Sequence, residues 1–172
     1  MQPARAPRII VKPWDESDWP LAWRWIGEYY FRVADDEAPK TQSEFVSKQM
    51  GRPATSFGVY RDGSLGGLVS FDILSPTLCE GHCLFKKGRS AADSFWGRST
   101  TVPAIVQALQ WMWVLGIERI ICPVFESNRL MAKLLEQLGA VRDAEPPAGA
   151  KSRTVRQGRP VNVLYYSLYP DS

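Results

Sequence analysis

Apolar positions along the chain follow two rhythms, and the order of the rhythms outlines an architecture. "RIIVK" (8–12) is a short apolar strand ended by Pro13. "DESDWPLAWRWIGEYYFR" carries capping residues at Ser17 or Asp18, Pro20 in its first turn, and Leu21, Trp25 and Ile26 at helical spacing. After the polar break "VADDEAPK", "TQSEFVSKQM" reads as a second, shorter helix reaching Gly51. "TSFGVYRDGSLGGLVSFDIL" is two strands joined through Arg-Asp-Gly, and "CEGHCLFKK" (79–87) is the third strand of the meander. The loop "KGRSAADSFWGR" leads to "VPAIVQALQWMW", where Val102, Ile105, Val106, Leu109, Met112 and Trp113 share one helical stripe that ends at Gly116. "IERIICPVF" (117–125) is a largely apolar stretch and predicts a buried strand. Leu130, Met131, Leu134, Leu135 and Leu138 form the stripe of a helix over 128–138, with Gly139 as its stop. "AVRDAE" starts a strand, "PPAGAKS" is a loop, and "RTVRQGRPVNVLYYSLY" is a closing hairpin with Arg156 and Arg159 around its turn.

The order β-α-α-β-β-β-α-β-α-β-β places antiparallel strands first, then a strand–helix–strand unit that demands a parallel pair. The expectation is one α+β domain over 8–169, a mixed, mostly antiparallel seven-stranded sheet with helices on both faces, behind a flexible leader at 1–7. A chain of 172 residues, 45% hydrophobic and 23% charged, has the composition of a globular domain. Its net charge of +3 suits an anionic ligand, but no Lys/Arg run exceeds two and no helix has a basic reading face, which argues against nucleic acid. No apolar run is long enough to span a membrane and no secretory signal is present, so a cytoplasmic protein is expected. Cys79, Cys83 and Cys122 lack disulfide or zinc spacing and read as reduced thiols. With a single histidine, His82, and no carboxylate cluster read around it, no metal site is expected.

The corner "VFESNRL" raises a question of function. Ser127 or Asn128 at a helix start is a good cap, and Asn128 equally offers a side-chain amide to a ligand. Order and residues together resemble the GNAT superfamily of acetyl-CoA-dependent N-acetyltransferases, on the side of its ribosomal-protein N-acetyltransferase branch, from about Arg8 to Leu168. Four passages carry the resemblance: "IIVKPWDESDWPLAWRWI", "FWGRSTTVPAIVQALQWMW", "ERIICPVFESNRLMAKLLEQLGAV" and "RQGRPVNVLYYSL". It implies transfer of an acetyl group from acetyl-CoA to a primary amine, a protein N-terminus or a small molecule, directly in a ternary complex. The alternative is a GNAT-fold protein without catalysis that binds CoA or a protein partner, regulatory or phage-associated. A monomer or homodimer is expected in either case.

The resemblance also implies a site. Gly97, Arg98, Ser99, Thr100, Thr101 and Val102 precede the strongest helix, where free N–H groups cradle a diphosphate. Lys86, Lys87 and Arg89 add positive charge nearby. The pantetheine arm pairs with the backbone of strand 79–87, which must splay from 118–125, and Asn128 contacts that arm. An N–H at Leu84 or Phe85 polarises the thioester carbonyl. Glu80, then His82, are the candidates for the base that takes the ammonium proton. Where the superfamily places glycine or alanine in its phosphate loop, this chain has Ser99 and Thr101, whose hydroxyls can donate to phosphate. Where many members carry a tyrosine acid it has Leu135, with Tyr165 and Tyr166 as replacements to consider. Trp19, Trp23, Tyr29, Tyr30 and the run Asp35-Asp36-Glu37 are candidates to receive a cationic acceptor.

Overall fold

The computed structural model describes residues 8–34, 36–51, 55–88, 90, 93–97 and 99–170, and of 27–33 the backbone alone. The leader at 1–7, Asp35, Arg89 and Arg98 lie outside the described residues, as do the side chains of Tyr29 and Tyr30.

The chain starts with β1 (Ile9–Pro13), an edge strand that tolerates a proline because only one of its sides is paired. A 3₁₀ turn, Glu16–Asp18, follows and leads into α1 (Trp19–Val33). Asp15 caps this 3₁₀ turn, its side chain accepting from the N–H of Ser17 at 2.9 Å. Asp18 is the acceptor of the Tyr60 hydroxyl. α2 (Gln42–Met50) starts from a capping box in which Thr41 and Glu44 each accept from the other's backbone N–H. The meander is β2 (Ser56–Arg61), β3 (Ser64–Ser75) and β4 (Leu78–Phe85). Asp62 and Gly63 turn β2 into β3 with φ of 49° and 84°, the left-handed pair that a tight hairpin requires. Then come α3 (Thr101–Val114), β5 (Arg119–Phe125), α4 (Arg129–Gln137), β6 (Val141–Arg142), β7 (Arg153–Arg156) and β8 (Arg159–Leu168).

The described strands number eight, in the order β1-β2-β3-β4-β5-β8-β6 with β7 hydrogen-bonded to β8. That is one more than the seven expected, because the two-residue β6 is a strand of its own beside β8. Among the described residues every strand pairing is antiparallel except β4–β5, the parallel pair that the strand–helix–strand unit demanded.

Each sheet face carries its own core. On one, Ala104, Ile105, Ala108, Leu109 and Met112 of α3 and Leu134 and Leu135 of α4 pack on Val59, Phe71, Cys79, Ile120 and Tyr166. On the other, Ala22, Trp25 and Ile26 of α1 and Phe45 of α2 pack on Leu68. The helical stripes hold except at their margins, where Leu21, Val106 and Leu130 are exposed. No helix among the described residues is long and apolar enough to cross a membrane.

Candidate functional site

β4 and β5 run together for only three registered pairs, Leu78↔Arg119, Cys79↔Ile120 and Glu80↔Ile121. Both strands continue beyond that point, β4 to Phe85 and β5 to Phe125, so the sheet opens between them. The cause can be read in β5. Arg119 donates its N–H toward β4, to the Thr77 carbonyl at 3.1 Å, and Glu126 donates toward β8, to the Asn162 carbonyl at 3.0 Å. Backbone groups alternate sides along a strand, so positions 119, 121, 123 and 125 face β4. Position 123 is proline and has no N–H to give. The ladder therefore ends one step before it. The family resemblance implied a splay of 79–87 from 118–125, and Pro123 is its local cause in the sequence.

The opposite bank presents donors. Lys86 donates to the Gly66 carbonyl at 2.7 Å, toward β3. The β3–β4 register is unbroken from Gly67↔Phe85 to Ile73↔Cys79, so Leu84 and His82 also turn their backbone groups to β3. Cys83 and Phe85 turn theirs to the gap.

Side chains on this stretch divide by parity. Cys79 and Phe85 lie buried in the α3/α4 core, and Leu84 packs against the α1/α2 core, which puts Glu80 and His82 on the α1/α2 face. There the register sets Asp72 beside Glu80 and Ser70 beside His82. The Nε2 of His82 lies 3.0 Å from Glu80 Oε1 and 3.4 Å from Asp72 Oδ2. So the lone histidine does have carboxylates around it, contrary to the sequence reading, because Asp72 arrives from the neighbouring strand. The ligand atoms of the three residues lie within 4.8 Å of one another. Burial pushes the imidazole down, but the hydrogen bonds and charges of Asp72 and Glu80 outweigh it, and His82 titrates above its ordinary value. Its side chain keeps 40% of its exposure.

The thiols Cys83 and Cys122 lie on the two strands where they part, and all three cysteines are free. Burial pushes Cys83 up to about 12. At neutral pH the thiolate is roughly one part in 10⁵, too little for a nucleophile. Tyr165 has its hydroxyl committed, donating to the Lys151 carbonyl at 2.8 Å, and Tyr166 is buried in the α3/α4 core. Burial, then the charge of Glu80, raises the Tyr165 phenol. Leu135 is buried in the core as well.

Asn128 is the N-cap of α4. Its Oδ1 accepts from the Met131 N–H at 3.2 Å, while the exposed carboxamide retains its NH₂ end. The loop from β4 to α3 is pinned at Phe95, whose N–H donates to the Lys86 carbonyl at 2.8 Å. The Phe95 ring lies under the Arg61 guanidinium, 4.5 Å from its centroid, and so close to Gly66 that a Cβ there would come within 2.3 Å of it. This fold-back returns the chain to α3 at Gly97. The Gly97 carbonyl takes the N–H groups of Thr100 and Thr101 at 3.1 and 2.8 Å. Thr101 is buried, and its hydroxyl donates to the Phe95 carbonyl at 3.1 Å, so neither Thr101 group is offered outward as expected. Ser99 and Gly97 are exposed, Pro103 has no N–H, and Val102 follows the capping Thr100 and Thr101 in the first turn. Lys86 is half-buried and Lys87 exposed just past β4.

The acidic break does not stand open for an amine. Asp36 accepts from the N–H groups of Gln157 and Gly158 at 2.8 and 3.0 Å, and Glu37 accepts from Lys151 at 2.8 Å. Both clasp the β7–β8 hairpin to the chain between α1 and α2. Trp23 packs at a tilt against Phe45, ring centroids 5.5 Å apart, and Trp19 lines a cavity of about 310 Å³ with Trp14, Glu16, Gln49, Met50 and Ser56.

The fold described above has solved counterparts. An acetyltransferase of the GNAT family from Bacillus anthracis superposes with a TM-score of 0.74 at 17% identity, covering 98% of each chain. The chain has the GNAT fold. A ribosomal-protein-alanine N-acetyltransferase from Brucella melitensis shares that GNAT fold with a TM-score of 0.74 at 12% identity, covering 93% of this chain and 99% of its own. A spermidine N-acetyltransferase from Vibrio cholerae, solved with CoA and spermine, shares it at 0.72 and 14% identity, covering 95% and 96%. No protein-family model and no curated protein sequence matches the chain. Within this GNAT fold, the gap beside Cys83 and Phe85, the His82 cluster and the Asn128 corner lie around one opening.

Proposed function

We propose that this protein is an acetyl-CoA-dependent N-acetyltransferase that transfers the acetyl group directly to a primary amine. The observation that carries the proposal is the opening of β4 from β5 at Pro123, which leaves the N–H groups of Cys83 and Phe85 turned to a slot. An extended pantetheine arm has amides that pair with such an edge as an added strand would. The Phe85 N–H, rather than that of Leu84, is then the donor for the thioester carbonyl, with the Cys83 N–H one register step away. The NH₂ end of Asn128 is the donor at the β5 side. The exposed Ser99 and the Val102 N–H in the first turn of α3 would face the diphosphate, with Lys86 and Lys87 supplying charge.

The base in this reading is His82. Asp72 and Glu80 both lie at its Nε2, which fixes a proton there and leaves Nδ1 as the acceptor in the neutral ring. Glu80 is then a positioning residue that orients the ring and raises its basicity. The ammonium of the acceptor gives its proton to Nδ1, directly or through one water. The amine then attacks the thioester carbon, the C–S bond of the tetrahedral intermediate breaks to release CoA thiolate, and the second proton of the now cationic nitrogen passes to that thiolate or to water. A thiolate leaves without a protein acid, so Leu135 at the superfamily's tyrosine position does not bar the reaction. The protonated state of Cys83 speaks against an acyl-enzyme on that thiol and for direct transfer.

One observation favours a second reading, a CoA-binding protein without turnover. The first turn of α3 has few open donors, because Gly97 takes the Thr100 and Thr101 N–H groups and Pro103 has none. Two measurements separate the readings. Acetyl-CoA should raise the melting temperature under both. Release of CoA thiol with a panel of amines and N-terminal peptides is expected only for the enzyme. Absence of a thermal shift at millimolar acetyl-CoA would refute both.

A further inference from the structure

The hairpin β7–β8 carries a cation for which the described residues provide no counter-ion. The guanidinium of Arg156 lies over the Phe125 ring, 5.2 Å from its centroid, and its Nε is buried without an acceptor. Carboxylates on nearby elements are otherwise engaged. Asp36 holds the 157–158 turn, Glu37 holds Lys151, Glu126 accepts from Asn162 at 2.8 Å, and Glu80 and Asp72 hold His82. Across the hairpin the residue paired with Arg156 is Arg159, so two like charges stand side by side where such a pair destabilises a sheet. Parity puts both on the side of the sheet that carries His82. Phe125 shares its face with Pro123 and Ile121, and Ile121 is the β5 partner of Glu80. Phe125 is two residues past Pro123, the position level with His82 by continuation of that register, so Arg156 stands about 7 Å along the slot from the level of His82.

We infer that Arg156, with Arg159 beside it, receives a carboxylate carried by the acceptor amine. This rests on the transferase reading. A carboxylate supplies the counter-ion that Arg156 lacks among the described residues, whereas a polyamine would bring cations against two arginines. The carboxylate comes either from a free C-terminus or from an acidic side chain, and both present the same planar group to a guanidinium fork.

The test compares Ala-Ala-Ala, its C-terminal amide, Ala-Ala-Glu amide and spermidine in the thiol-release assay. Turnover of the free acid and of the Glu peptide, each with a KM about tenfold or more below that of the Ala amide, is expected. A preference for the free acid alone assigns a C-terminus, and a preference for the Glu peptide alone assigns a side chain. Arg156→Gln should remove the preference by raising KM for the charged peptides while kcat stays within a factor of about two, with Arg156→Lys in between. Equal KM values for acid and amide, or a preference for spermidine, would overturn the inference. A readout independent of acetyl transfer is the ¹H–¹⁵N signal of the Arg156 Nε–H. It should move when Ala-Ala-Ala or Ala-Ala-Glu amide is added without acetyl-CoA, and stay in place with Ala-Ala-Ala amide. If acetyl-CoA gives no thermal shift while this signal still responds, the transferase reading fails and the anion site stands. If the signal ignores both carboxylates, the anion site fails whatever the enzyme does.

Discussion

Replacing Pro123 with valine should close the slot. The substitution restores an N–H that faces β4 and has the Gly81 carbonyl opposite it by continuation of the register Cys79↔Ile120, Glu80↔Ile121. Once that bond forms, the Cys83 N–H comes within reach of the carbonyl of residue 123. Two ladder bonds are gained, at a net worth near 1 kcal/mol each. The variant's slot should thus be shut by about 2 kcal/mol, a factor of roughly 30. Loss of the proline's restraint on the unfolded chain offsets about 0.4–1 kcal/mol of this in global stability. Hydrogen exchange in the ligand-free protein reads the effect directly. Cys83 should exchange fast in the parent and roughly 30 times more slowly in Pro123→Val, while Leu84, bonded to β3, is unchanged. Calorimetry with CoA should show affinity weakened by a similar factor, because the arm must now displace a strand contact. If Cys83 exchange and CoA affinity are both unaltered, the missing donor is not what holds the strands apart.

Other outcomes follow from the same geometry. Asn128→Ala should lower stability by about 1 kcal/mol through loss of the α4 cap, whereas Asn128→Asp should keep the cap and lose only the NH₂ donor, leaving thermal unfolding near the parent's and CoA binding weakened. The single histidine gives one clean NMR titration, with a midpoint above the ordinary value that drops in both Asp72→Asn and Glu80→Gln. Because the folded pKa is raised, the stabilisation from His82 is fully present below about pH 6.5 and is lost as pH rises through the folded midpoint. The rate of acetyl transfer should instead rise through that midpoint, since the base must be neutral. Gly66→Ala should cost about 1–3 kcal/mol, because its Cβ meets the Phe95 ring and displaces the loop that leads to α3; an unchanged unfolding midpoint would contradict that packing.

Periodicity located the elements well, because the stripes of α3 and α4 and the Asp62-Gly63 turn are local signals. The corner at Asn128 was legible as an alternative between cap and ligand contact, and the cap is realised. What the sequence withheld depends on register. Asp72 lies eight positions from Glu80 in the chain, yet pairing of β3 with β4 makes them neighbours and turns two rival bases into one cluster. Asp36 and Glu37 looked like a receptor for cations, but partners more than 110 positions away consume them. The hydroxyl of Thr101 looked available and is turned inward to the Phe95 carbonyl. Pro123 was visible all along, and its meaning required knowing which neighbour its missing donor faces.

The clasp at Asp36 joins residues 121 and 122 positions apart. Such a closure carries a large loop entropy and so belongs to the end of folding rather than its beginning. On a ribosome the first two helices and the meander would emerge and pack long before Gln157 and Gly158 exist to be held. The rim of the opening is thus finished last, and a nascent or C-terminally clipped chain would own a folded body with an unlatched mouth.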